Sequence, residues 1–428
     1  MSDGETTSSR DSAKPSHAAP EHSSKAVSWD TFLSTYLPAL VLALGTGIAL
    51  PALPTLAMSF DVSFGVASGV ITAFLIGNLV GTIPSGWLID RFGRRAVLIS
   101  GPLLTAITAV LVVFAPSFTE LLILRFLNGF AAQMWLMARL AAISHDAAPD
   151  ERGRLVSWMF GMDTTGKLAG PIIGGFVAYQ WGMFAPFLAY GVLALLALIP
   201  IVIFAKEGPH RERAAATTAV KAAPQAAAPA TTLTLRQIVM PRLVYFAVAL
   251  FAGLTRGPLH ADLLHLYAAF AYDLGPIEIG YLATGASILS LPIGFTAGWL
   301  MDRFGRKRTM VPGFSGMAIA MVALAVSAFV PLSLAWYVAL FFLAVAMQSL
   351  TGGSIQTIGV DVAPPQARGR FLGLWRFIGQ GGAAIGPIVF ALLADHVNYT
   401  SSFLFTAAAA VVVAYLIIRH IPETRTGK

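Results

Sequence analysis

Twelve apolar runs, each of roughly 20 residues, follow one another from Phe32 to the end of the chain. A run of that length is what crosses a bilayer. Inside the hydrocarbon every backbone N–H and C=O needs a partner, and one continuous chain meets that demand as an α-helix. The predicted spans are 31–53, 66–89, 96–115, 119–144, 155–178, 183–205, 243–268, 277–300, 309–330, 334–359, 370–394 and 399–419. Only 11% of the residues are charged, against about 25% in soluble domains. The chain therefore reads as an all-α membrane protein. With no cysteine, disulfides and thiolate metal sites are excluded.

Most connections are short. The exception, 206–242, is rich in Ala, Pro and Thr and reads as a flexible cytoplasmic linker dividing the spans six and six. The domains expected are a disordered tail over 1–28, bundles over 29–205 and 243–420 on either side of that linker, and a tail over 421–428. The first 28 residues have no apolar core and are not a signal peptide. Loops alternate in charge. "DRFGRR" (90–95), "DERGR" (150–154), the linker, "DRFGRKR" (302–308) and "QARGR" (366–370) are basic, whereas 54–65, 116–118, 179–182, 269–276, 331–333 and 395–398 are almost free of Lys and Arg. The positive-inside rule makes the basic set cytoplasmic, with both termini inside a cell membrane. Trp29, Trp87 and Trp299 fall where interfacial anchors belong.

The two halves share a repeat. "GWLIDRFGRR" (86–95) returns as "GWLMDRFGRK" (298–307), 212 residues later, and "RGRLVSWMFGMDTTGKLAGP" (152–171) is echoed by "RGRFLGLWRFIGQGGAAIGP" (368–387) at an offset of 216. Repeats of this kind are common in transporters, with the substrate site between the halves.

These residues resemble the major facilitator superfamily over nearly the whole chain. "GWLIDRFGRR" is similar to the family's G-x-x-x-D-R-x-G-R-[RK] loop signature, "RFLNGFAA" (125–132) to its fourth-helix signature, and "GKLAGPIIGG" (166–175) to the fifth-helix signature of proton-coupled antiporters, above all twelve-helix drug exporters. The resemblance implies two pseudo-symmetric six-helix bundles that rock about a central cavity. It also implicates Arg125, with Asn128 before the glycine, in proton coupling. "PET" at 422–424 resembles the end of sugar porters, but the sixth span exits as "FAKEGPH", without their P-E-S-P-R pattern.

The motifs have physical reasons. Gly86 lets the second span approach a neighbour closely. Asp90 then falls near the positive N-terminal end of the eleventh helix in the family fold. Gly298 and Asp302 repeat the arrangement toward the fifth helix. Each set, with Arg91, Gly93 and Arg94 or with Arg303, Gly305 and Arg306, is read as a cytoplasmic latch between the halves, and its cations also set topology. In the fifth span, Gly166, Gly170 and Gly174 form one narrow helical stripe. Pro171 bends the helix, and with Gly175 the run is read as a bent contact sealing the outer side.

Charges inside a span cost roughly 2.5–3.5 kcal/mol each on insertion scales, so they face protein or cavity and mark pathways. The candidates are Arg125 and Arg139 in the fourth span, Asp163 and Lys167 in the fifth, Arg256, His260, Asp262 and His265 in the seventh, and Arg376, followed at Gln380 by an amide, in the eleventh. Asp163 and Lys167 can pair along one helix face, and Arg139 lies at similar depth, so Asp163 is placed between the two cations. Burial favours the neutral acid and flanking cations favour the carboxylate. Asp163 is therefore either the proton carrier or a fixed charge partner. Gly257 and Pro258 suggest a break in the seventh span at the cavity mouth. The i, i+2, i+5 spacing of His260, Asp262 and His265 fits a metal poorly, and no metal site is assigned. If most of these cations face the cavity, it is positive and suits neutral or anionic amphipathic substrates.

The expectation is a secondary transporter that exchanges protons for a small organic molecule and exports it. It is not an enzyme, needs no cofactor beyond the proton gradient, works as a monomer in the bilayer and has no nucleic-acid partner. The alternatives are an organic-anion carrier, for uptake or exchange, and a membrane receptor or scaffold without flux.

Overall fold

A computed structural model describes residues 29, 32–146, 152–205, 235–260, 262–330 and 333–421, excluding the side chains of 144–146, 152–154, 235, 260, 302, 365, 368 and 369. The predicted tail at 1–28, all but Ile421 of the predicted tail at 421–428 and the linker up to 234 lie outside the described residues, whereas Trp29, next to the first tail, is described.

The described chain is helical throughout. We number the membrane-crossing elements α1 to α12. They are α1 (Leu37–Ala49 and Ala52–Met58), α2 (Phe64–Phe92), α3 (Arg94–Val112), α4 (Phe118–Asp146), α5 (Arg152–Trp181) and α6 (Ala185–Phe204) in the first half. The second half has α7 (Leu243–His260 and Leu263–Tyr272), α8 (Pro276–Phe304), α9 (Arg306–Phe329), α10 (Leu334–Leu350 and Ser354–Val362), α11 (Arg368–His396) and α12 (Tyr399–His420). Eleven helical stretches among the described residues are long and apolar enough to cross a membrane. The twelfth, α5, has 30 residues, but Asp163, Lys167 and the glycines and threonines around them dilute its apolar content.

The structure corrects the expected boundaries in three places. The last eight linker positions are helical, as Leu235–Val239 and a 3-10 turn at Met240–Arg242 leading into α7. The break in α7 falls at Asp262 rather than at Gly257–Pro258. Pro258 stays inside the helix because Gly257 packs against α11, where an added Cβ would meet Ala383 O at 2.6 Å. Finally, α1 and α10, expected to be continuous, are each interrupted, α1 at Leu50–Pro51 and α10 around Gly353, whose φ is +76°.

The repeat is visible in packing. α1 packs on α5 as α7 packs on α11, and α3 packs on α6 as α9 packs on α12. The loop-motif glycines Gly93 and Gly305 both turn the chain with positive φ, +90° and +97°, which a side chain disfavours. The basic residues two positions on do equivalent work. Arg95 Nη2 donates to Val202 O at 2.9 Å, and Lys307 Nζ donates to Ile418 O at 2.6 Å. Each cation satisfies carbonyls at the C-terminal end of its half's last helix, where no intrahelical donor remains.

The halves meet at one side only. We call the side carrying the DRFGR loops the motif side and the other the far side. One buried cluster joins both halves at the far side, from Leu53, Leu56 and Phe64 to Leu264, Tyr267, Phe390 and Phe403. Toward the motif side the core divides, with Leu42, Val97, Trp135 and Ala194 in one half and Phe246, Phe314, Phe371 and Trp375 in the other.

Candidate translocation cavity

A cavity of about 640 Å³ lies between the halves. Thr46, Gly47 and Leu50 of α1, Phe74 of α2 and Thr164, Lys167 and Pro171 of α5 form one wall. The other wall comes from α7, α8 and α10, including Asp262, His265, Ser290, Phe341 and Gln348. It is an apolar chamber with a few polar groups, the usual make-up of a small-molecule site. Its charged residues are Lys167 and Asp262.

The far side is closed by close helix contact. An added Cβ on Gly175 would meet Pro276 O at 2.7 Å, and one on Gly280 would meet Pro171 O at 2.6 Å, so α5 and α8 touch backbone to backbone. The rest of the glycine run faces α1. A Cβ on Gly166 would lie 2.5 Å from Leu40 O, and one on Gly170 would lie 2.6 Å from Gly47 Cα. Gly174 faces Ile48 O still more closely. The stripe thus divides its work, with Gly166, Gly170 and Gly174 seating α5 on α1 and Gly175 and Pro171 meeting the other half. The repeat positions Gly382 and Gly386 seat α11 on α7.

Two further far-side contacts cross the halves. Phe64 of α2 packs its ring on Phe270, Phe390 and Tyr399, with centroids 5.6, 6.2 and 5.1 Å away. Asp395, near the end of α11, accepts from Gly65 N at 2.7 Å and from the Ser63 hydroxyl at the start of α2. Sequence reasoning missed both. The available signals were an acid in a loop free of Lys and Arg and Ser63 at a helix-capping position.

The motif side is open. Added Cβ atoms on Gly86, Gly161, Gly294, Gly298 and Gly373 would meet nothing within 4 Å. Asp90 is exposed and makes no ion pair among the described residues, and the Asp302 side chain lies outside them. The expected Asp90 latch is therefore not engaged in this structure, where Gly86 on the same helix end faces open space. The motif cations are held within their own halves. Arg91 stacks on Trp87 and Phe92, and Arg303 on Trp299 and Phe304. Arg94 is buried, and Arg306 pairs with Asp361 of α10.

The intramembrane charges separate into groups. Arg139 and Asp163 form a two-pronged ion pair, Nη1 to Oδ1 at 2.9 Å and Nη2 to Oδ2 at 3.0 Å, and Arg139 also stacks on Trp135 at 5.0 Å. Neither lines the cavity. Lys167 does not close on Asp163. It is exposed in the cavity wall and makes no ion pair within 4 Å among the described residues.

Arg125 lies 4.9 Å from the Phe74 ring centroid and reaches Val70 O and Asn128 Oδ1 at 3.4 and 3.5 Å, while Asn128 donates to the Thr108 hydroxyl at 3.1 Å. Arg256 is half-buried, Arg376 and Gln380 are exposed, and none of them lines the cavity. The His260 side chain lies outside the described residues. Most of the intramembrane cations are therefore absent from the described cavity wall, and the condition for a positive cavity is not met there. Partners within each half take up Arg125 and Arg139, and the wall carries one cation and one acid.

The sequence profile of the Major Facilitator Superfamily matches residues 36–272 and 263–428. The chain is 25% identical over 360 residues to the tetracycline resistance protein, class B, of Escherichia coli, spanning 83% of this chain and 86% of that protein. It is 25% identical over 354 residues to the multi-drug resistance efflux pump PmrA of Streptococcus pneumoniae, spanning 80% and 82%. The fold is similar to the inward open conformation of the xylose transporter XylE from E. coli, with a TM-score of 0.71 at 17% identity over 93% of this chain and 97% of that one. The paired halves and this profile match lead to one identity: the chain belongs to the Major Facilitator Superfamily, as a multi-pass membrane secondary transporter and not an enzyme.

Proposed function

We propose that the protein is a proton-coupled antiporter that exports a small, largely apolar organic molecule by alternating access. The motif side is cytoplasmic, as the basic loops require, so the state described here faces inward. The observation that carries the reading is the cavity between the halves, closed on the far side by the glycine–proline run of α5 and open toward the motif side. The name of one relative, the multi-drug resistance efflux pump PmrA, supports the same direction. The DRFGR loops engage when the motif side closes, with Asp90 meeting α11 and Asp302 meeting α5. Arg125, Asn128, Lys167 and Asp262 line or border the pathway, while Arg139 and Asp163 brace the first half. The exposed ammonium of Lys167 in an apolar wall favours substrates carrying an anionic or strongly polar group, so an organic-anion carrier is the second reading.

The test is growth of a bacterial host stripped of its own efflux pumps, with and without the protein, on cationic, neutral and anionic amphiphiles. Resistance that disappears when the pH gradient is collapsed supports the proposal. Enhanced uptake of anions with no resistance supports the second reading. No change across the panel would leave a receptor without flux.

A further inference from the structure

The two walls of the cavity carry different unpaired groups. On the first half's side, Lys167 of α5 stands with Leu50, Phe74 and Pro171 in the lining and makes no ion pair within 4 Å among the described residues. A charge kept without a partner inside a span marks a pathway. The acid of the other wall, Asp262, is not its partner: its close contact is His265 Nδ1 at 3.4 Å.

On the second half's side, Gln348 of α10 lines the cavity and is only 8% exposed, yet its side chain makes no hydrogen bond among the described residues. Thr351 uses the backbone carbonyl of Gln348 and leaves the carboxamide free. Burying an amide without partners is costly, and in a cavity wall the missing partner is what enters the cavity. Next in sequence, Ser349 Oγ lies 2.8 Å from Val345 O and 3.0 Å from Ser290 Oγ of α8, and both serines line the cavity. With the Ser349 proton on the carbonyl and the Ser290 proton on Ser349, Ser290 keeps lone pairs free to accept. The rest of this wall is largely apolar, with Leu291, Phe295, Phe341 and Val345.

We infer that Gln348 and Ser290 form a substrate subsite opposite Lys167, and that the molecule carried is an amphipathic organic acid bearing an amide. Its carboxylate accepts from the Lys167 ammonium, a charge-assisted bond stronger than a neutral one. Its amide C=O accepts from Gln348 Nε2 and its amide N–H donates to Ser290 Oγ. An aromatic body packs on Phe295 and Phe341. One end of the molecule thus touches α5 and the other touches α8 and α10, so the ligand bridges the halves. The inference rests on the export reading above and names the substrate class for that cavity. The amide sets this class apart from organic anions in general. A simple fatty acid satisfies Lys167 but strands Gln348, and a site built to hydrogen-bond its ligand rejects the analogue that lacks the group. A cationic amphiphile meets Lys167 as a like charge.

The test is equilibrium binding to the full chain in lipid nanodiscs, by titration calorimetry against empty nanodiscs. The probes are N-naphthoylglycine, its methyl ester without the charge, naphthylbutyrate with methylenes in place of the amide, and N-aminoethylnaphthamide with an ammonium in place of the carboxylate. The acid should bind at least about tenfold more tightly than the ester and the amine. It should bind about two- to tenfold more tightly than naphthylbutyrate. Lys167→Met should remove the advantage over the ester. Gln348→Leu and Ser290→Ala should each shrink the advantage over naphthylbutyrate while changing the affinity of naphthylbutyrate itself by less than about twofold. A merely structural loss would weaken both acids alike. The comparison of probes on the native protein stands even if a variant fails to fold. The inference is overturned if the ester, the amine or naphthylbutyrate binds as tightly as the amide-bearing acid, if none of the probes binds, or if Gln348→Leu weakens both acids equally. In proteoliposomes, gradient-driven export of cationic amphiphiles without binding of the acid would overturn this subsite and leave antiport standing. Binding of the acid with flux indifferent to the gradient would do the reverse.

Discussion

Removing one partner of the Arg139–Asp163 pair tests whether these charges are structural. Both N–H···O bonds are short, 2.9 and 3.0 Å, and the side chains are 4% and 21% exposed. Breaking a buried pair strands a charge and costs about 3–5 kcal/mol. Partial exposure of Asp163 places this site toward the lower end of that range. Asp163→Leu and Arg139→Met should each lose about 3 kcal/mol, measured by denaturant unfolding in mixed micelles. The double variant Arg139→Met/Asp163→Leu removes both charges and should lie within about 1 kcal/mol of the native protein. The resulting double-mutant cycle gives a coupling energy of about 5–7 kcal/mol. In proteoliposomes the double variant should still move substrate in response to a pH gradient. A coupling energy near zero would refute the structural reading. A well-folded double variant that exchanges substrate but ignores the gradient would make Asp163 the proton carrier instead.

Gly86 faces open space in this state, so Gly86→Leu should leave stability within about 0.5 kcal/mol of native yet block closure of the motif side; thermal unfolding and flux together check it. Gly170→Ala places a Cβ 2.6 Å from Gly47 Cα, where neither backbone can yield cheaply, and should cost about 1–3 kcal/mol in the same unfolding assay. Phe64→Ala removes three cross-half ring contacts worth about 0.5–1.5 kcal/mol each. It should raise the far-side-open population at least about tenfold, read by electron–electron distances between spin labels on a Gln180→Cys/Val397→Cys background of a chain that otherwise has no cysteine. Asp395→Asn weakens a charge-assisted contact to Gly65 N and Ser63 and should move the same population in the same direction by a smaller factor.

The fold was legible because its signals are long. A span must be about 20 residues, and the two copies of "GWL(I/M)DRFGR" repeat in order, so span number and halves follow without side-chain detail. The Arg139–Asp163 contact was also accessible, since equal depth on adjacent antiparallel spans is a counting argument. Interruptions were harder to read. Hydropathy does not register the left-handed turn at Asp262, and Pro258 marked the wrong position because a proline inside a membrane helix is tolerated when a neighbour packs on it. Lys167 illustrates another limit. Spacing of four permits a pair with Asp163, but Arg139 occupies both carboxylate oxygens and leaves the lysine to the cavity. The gates were out of reach for a different reason. The contacts of Asp395 with Ser63 and of Gly175 with Pro276 join residues from opposite halves, and which of them form depends on the conformational state.

Simultaneous recording of substrate and proton movement most directly tests exchange by alternating access. Purified protein would be reconstituted into liposomes containing a pH-sensitive dye, and an amphiphile to which the protein confers resistance would be added on the motif side. Substrate entry should drive proton exit, both fluxes should reverse when the pH gradient is inverted, and both should vanish in Gly86→Leu. Protons moving in the same direction as the substrate, or substrate flux indifferent to the gradient, would contradict proton-for-substrate exchange.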